Sequence, residues 1–110
     1  MKKQKTVFEL HADLCKVMSS PKRIEIINAL KDSEKSVLEL VNILGTPKAN
    51  VSQHLSVMRL KGILKSRREG VNVYYSIANP KIITACSIMR ELLFEILSER
   101  DKVAQSIPKF

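Results

Sequence analysis

Three residues, Gly45-Thr46-Pro47, separate two helical stretches, and this spacing constrains the fold more than any other feature of the chain. Upstream lies Ser36-Val37-Leu38-Glu39, a Ser followed three residues on by Glu. That is a capping box, in which each side chain accepts from the other residue's backbone N–H at a helix start. The helix it opens is expected to turn Leu38, Val41 and Leu44 inward and to stop at Gly45. Thr46-Pro47 then reads as an N-cap with Pro in the first turn, so a second helix starts at once. It runs from about Pro47 to Lys61 with Val51, Leu55 and Met58 as its core stripe, and Gly62 ends it.

The flanking chain follows the same grammar. A first helix spans about 6–18, with Val7, Leu10, Leu14, Val17 and Met18 on one stripe. Ser20-Pro21 opens a second, to about Leu30, that buries Ile24, Ile27 and Leu30. Beyond Gly62, Leu64 to Glu69 and Val73 to Ile77 flank a turn at Gly70-Val71-Asn72, the pattern of a β-hairpin. Asn79-Pro80 opens a last, strongly apolar helix over 80–105. The fold class is mainly α with a small β-hairpin, a winged helix-turn-helix. Its helix-turn-helix occupies 36–61 and its wing 64–77, within one domain spanning 1–110.

Nineteen Lys and Arg oppose eleven Asp and Glu, a net charge of +8. So basic a small domain favours a polyanion, nucleic acid or an anionic membrane surface, although excess Lys also serves solubility alone. The helix over 47–61 decides between them. Outside its core stripe it carries Lys48, Asn50, Ser52, Gln53, His54 and Ser56, with no Asp or Glu anywhere along it. Asn and Gln can bond adenine edges bidentately, and Ser and Lys can reach phosphate or guanine. Any amphipathic helix has a polar face, but this one sits between a tight turn and a basic hairpin. The hairpin brings Lys61, Lys65, Arg67 and Arg68, with Arg67 and Arg68 the candidate phosphate grips. The expected partner is double-stranded DNA. No apolar run reaches the length of a signal peptide or membrane span, and two Cys are too few for a disulfide scaffold, so a cytoplasmic setting is expected.

The stretch Val51-Ser-Gln-His-Leu-Ser-Val-Met58, with Lys61-Gly-Ile-Leu64, Arg67-Arg-Glu-Gly70 and Val73-Tyr-Tyr-Ser76, resembles the recognition helix and wing of the ArsR/SmtB family of repressors. Ala12-Asp-Leu14 through Met18-Ser-Ser-Pro-Lys-Arg-Ile24 resembles its first two helices, so the likeness covers about 10–100. Val71 departs at the wing tip, where the family often has a basic or polar residue, which leaves Arg67 and Arg68 as the wing's contacts. The resemblance implies a homodimer held by the first and last helices, a palindromic operator, and release by an inducer. Independently, Ile82, Ile83, Ile88, Leu92, Leu93, Phe94, Ile96 and Leu97 are more apolar surface than one side of a small domain covers.

Two metal sites recur in that family, and neither matches here. No Cys lies within 37–41, and the last helix has no His and a single Asp, Asp101. No metal and no cofactor are expected. Cys15 and Cys86 remain, on the two helices that the resemblance packs together. They are core filler, or thiols that sense oxidant or reactive sulfur, or ligands of a soft metal or arsenite with His11 as a third. The inducer stays unknown. No phosphate loop or nucleophile motif appears, so an enzyme is not expected and no residue is assigned as catalytic. A rival class is a winged-helix protein-interaction adaptor.

Overall fold

A computed structural model describes residues 4–106. Its elements run α1 (Val7–Val17), α2 (Pro21–Leu30), β1 (Lys35–Ser36), α3 (Val37–Leu44), α4 (Lys48–Leu60), β2 (Leu64–Glu69), β3 (Asn72–Ile77) and α5 (Pro80–Ser106). The fold is a winged helix-turn-helix, mainly helical with a small antiparallel sheet.

Local chemistry sets the helix starts. Thr6 and Glu9 form a capping box at α1, and Ser36 and Glu39 form another at α3. Ser20 accepts from the Arg23 N–H at 3.4 Å, with Pro21 opening α2. Gly45 closes α3 in the left-handed region, at φ 62°. The next cap differs from the expectation: Pro47, not Thr46, is the N-cap of α4, and no side chain caps that helix. The Thr46 hydroxyl donates instead to the Leu44 carbonyl at 3.3 Å. Its buried place under the turn leaves no free hydroxyl for α4.

The sheet has three strands, one more than the hairpin expected from the sequence, in the order β1-β3-β2. Lys35 pairs with Tyr75 and Ser36 with Tyr74, so β1 ties the base of the wing to the start of α3. In the hairpin Glu69 faces Asn72 across Gly70-Val71. Gly70 has φ 62° and Val71 does not have positive φ, the sign pattern of a type II′ turn, which suits the twist of a ribbon.

The core gathers Val17, Ile26, Ile27 and Leu30 with Leu40 of α3, the α4 stripe Val51, Leu55 and Met58, and Ile63 and Leu64. The expected inward face of α3 is corrected here. Leu40 is fully buried, whereas Leu38 is 63% exposed. Two residues lie about 200° apart around a helix, so burying Leu40 turns Leu38 outward.

α1 and α5 do not follow the core. Val7, Phe8, Leu10 and Leu14 on α1 are exposed, as are Ile88, Leu92, Leu93, Phe94, Ile96 and Leu97 on α5. Among the described residues α1 packs extensively on no other element, and α5 reaches the body chiefly through α2. The radius of gyration is 18.1 Å, against about 13 Å for a compact domain of this length.

Candidate nucleic-acid interface

With Val51, Leu55 and Met58 buried, the 3.6-residue period sends Ala49, Gln53, Ser56 and Leu60 furthest from the body. Gln53 and Ser56 are exposed, as are Lys48 and Asn50 in the first turn. Ser52 and His54 flank this row and are half-buried. The first turn of α4 has no acidic residue and no side-chain cap, so its free N–H groups and positive dipole end remain available to an anion. Arg59, in the last turn, is exposed beside Leu60 and extends the basic edge. Sequence reasoning passed over it, although it follows Ser56 by three residues and so shares its side of the helix.

His54 is not a plain outward side chain. Its Nδ1 accepts from Arg23 Nε at 3.1 Å, across α2 and α4. Burial, and then the Arg23 charge, push its pKa below the ordinary value.

The wing's cations differ from one another. Side chains alternate along a strand, so Lys65, Arg67 and Glu69 share one face of β2 while Ser66 and Arg68 share the other. Arg67 is occupied: Nε lies 2.9 Å from Glu34 Oε2, Nη2 also bonds Glu34, and Nη1 lies 2.7 Å from Glu69. Its guanidinium also covers the Tyr74 ring at 4.7 Å. The hydrogen bonds from Arg67, and then its charge, hold the Glu34 carboxyl below its usual range. Arg68 and Lys65 are exposed, with no ion pair among the described residues. Val71 stands 98% exposed at the tip.

Cys15 is exposed and Cys86 half-buried against the core, and both are free thiols. Burial raises the Cys86 pKa, partly offset by Arg90. Among the described residues no three His, Cys, Asp or Glu gather into a possible metal site. Among the described residues no helix is long and apolar enough to cross a membrane.

The chain is similar to several known proteins. The profile of the bacterial regulatory protein arsR family matches residues 20–66, from the cap of α2 into the wing. The HTH-type transcriptional regulator Rv0081 of Mycobacterium tuberculosis is 34% identical over 102 residues, which cover 92% of this chain and 90% of that one. The chain belongs to the ArsR family of bacterial transcriptional regulators. The crystal structure of Rv0081 superposes on this ArsR-family regulator with a TM-score of 0.79, covering 88% of this chain and 98% of that one. The transcriptional repressor PagR of Bacillus anthracis is 46% identical over 72 residues, 64% of this chain and 72% of PagR. A further likeness is one of fold: the homodimeric winged helix-turn-helix DNA-binding domain of Mb0332 from Mycobacterium bovis, at 22% identity and a TM-score of 0.73, covering 86% and 92% of the two chains.

Proposed function

We propose that this ArsR-family regulator is a homodimeric repressor that reads a palindromic operator with α4 and releases it when an inducer acts. The observation that carries the reading is the face of α4: exposed Lys48, Asn50, Gln53 and Ser56, with no carboxylate along the helix. In the major groove Asn50 and Gln53 match adenine edges, Lys48 and the first-turn N–H groups hold a phosphate, and Ser52, His54 and Ser56 complete the contact surface. Lys65 and Arg68 grip the flanking backbone, and Arg67 joins them when Glu34 lets go. PagR, a repressor, supports the direction of regulation.

The bare apolar faces of α1 and α5 support a dimer, as does the homodimeric state of the Mb0332 domain. Two-fold pairing along these helices places the two α4 helices about 34–36 Å apart, one turn of duplex. It also brings Cys15 and Cys86 into one interface, where loss of two thiol hydrogens to an oxidant would form a bridge and shift the α4 spacing.

The test is fluorescence anisotropy of the reduced protein on a duplex selected from a random-sequence library, with a salt series. Binding whose log affinity falls by several units per unit of log salt, and that exceeds binding to random duplex by about a thousandfold, meets the reading. Equal, weak binding to all duplexes would return the fold to the adaptor class. Treatment with a disulfide-forming oxidant should weaken binding in the wild type and not in Cys86→Ser. If both respond alike, the thiols are not the inducer site.

A further inference from the structure

The guanidinium of Arg23 joins three helices. Its Nη1 donates to the Val17 carbonyl at the end of α1, at 3.3 Å. Its Nε donates to His54 Nδ1 on α4, at 3.1 Å, and the residue itself sits in the first turn of α2. Arginine is a donor only and does not lose its proton in a protein. Nδ1 of His54 therefore holds a lone pair, and a neutral imidazole with a lone pair on Nδ1 carries its proton on Nε2.

The position of Nε2 follows from what surrounds it. His54 is half-buried, and Nε2 has no hydrogen-bond partner within the described chain. Yet no side-chain nitrogen or oxygen among the described residues is both buried and unpaired. Nε2–H is therefore at the surface of α4, on the flank it shares with Asn50.

We propose that Arg23 is a positioning residue that holds His54 as the Nε2–H tautomer, so that α4 presents a fixed hydrogen-bond donor to an acceptor on a base edge. This rests on the reading that α4 lies on a duplex. An unrestrained imidazole exchanges tautomers and can turn its ring over. It then accepts from the amino group of adenine or cytosine as well as donating to an acceptor. With Nδ1 occupied by Arg23, only donation remains. A purine N7, guanine O6 or thymine O4 satisfies it, and a base amino group in the same place does not. Arg23 thereby contributes to specificity from behind the recognition helix, without touching DNA itself.

The experiment uses the full chain with Arg23→Met and Arg23→Lys. Lys, like Arg, is a donor only, so Arg23→Lys keeps a donor within reach of Nδ1 and drops the planar fork that also bonds Val17. Nitrogen-15 spectra of the His54 ring report the tautomer directly. Wild type and Arg23→Lys should show a protonated Nε2 and a bare Nδ1, and Arg23→Met a mixture. The ratio of affinities for selected and random duplex should drop about fivefold in Arg23→Met and stay within about twofold in Arg23→Lys, the effect of one hydrogen bond. His54→Ala should lower the ratio as far, and the double variant no further. Single base analogues that remove purine N7 (7-deazapurine), guanine O6 (2-aminopurine) or thymine O4 (5-methyl-2-pyrimidinone) then locate the acceptor by abolishing the wild type's advantage over His54→Ala, and methylphosphonates test the backbone. A wild-type Nδ1–H tautomer, an unchanged ratio in Arg23→Met, additive losses in the double variant, no base position that matters, or an acceptor on a phosphate would overturn the proposal. Wild type with no preference for any duplex would overturn the DNA reading beneath it.

Discussion

Arg67 on the wing is held by Glu34, which lies in the loop between α2 and β1, 33 residues earlier in the chain. The pair makes Arg67 a structural strut in the free protein, while Arg68, the next residue, lies on the other face of the strand and is open. On the proposed reading, phosphate would compete with Glu34 for the same guanidinium. Glu34→Gln should free Arg67 and raise affinity for random duplex about two- to fivefold at low salt, an advantage that fades as salt rises. Both partners are exposed, so the thermal midpoint should barely move. Anisotropy and thermal melts on the same sample check both outcomes.

The burial difference along α3 gives a stability prediction. Leu40→Ala removes a fully buried side chain and should cost about 2–5 kcal/mol in urea unfolding. Leu38→Ala, on a residue 63% exposed, should cost less than about 1 kcal/mol. Equal costs would mean that α3 is rotated from the orientation described here.

Dimerisation through α1 and α5 predicts that a charge on the bare stripe is disruptive. Leu93→Glu, at a residue 49% exposed in the single chain, should shift the sedimentation coefficient to that of a monomer. It should weaken operator binding more than tenfold, because one half-site is lost per complex. A dimer unchanged by this substitution would place the interface elsewhere.

His54 makes the fold sensitive to mild acid. Its folded pKa lies below the ordinary 6.5, through burial and the Arg23 charge. The unfolded chain therefore binds the proton first as pH falls. Stability is fully present above pH 6.5 and declines as pH drops from there toward the folded value. His54→Gln should flatten this part of a stability profile, measured by urea midpoints at a series of pH values.

Much of this architecture was legible in the sequence because it is written in local chemistry. The Ser36–Glu39 capping box, the Ser20-Pro21 start and the left-handed Gly45 each fix a boundary within a few residues. What escaped was set over longer distances. In α3 the apolar residues at 37, 38, 40, 41, 43 and 44 leave almost no polar face, so period alone could not choose between Leu38 and Leu40. β1 is two residues long, too short to show alternation. In the interface, the open face of α4 was readable from Val51, Leu55 and Met58. The Arg23–His54 bond spans 31 residues and the Arg67–Glu34 pair 33, and no local pattern announces either.

The most direct test of the DNA-reading surface is the affinity of Gln53→Ala for selected and random duplex across a salt series. Gln53 is exposed, uncharged and on the outermost row of α4. The prediction is a loss of about five- to a hundredfold on the selected duplex, little change on random duplex, and an unaltered salt slope. Arg68→Ala should instead weaken both duplexes alike and flatten the slope by about one unit. Equal losses on both duplexes for Gln53→Ala, or no loss on either, would contradict the assignment of α4 as the helix that reads bases.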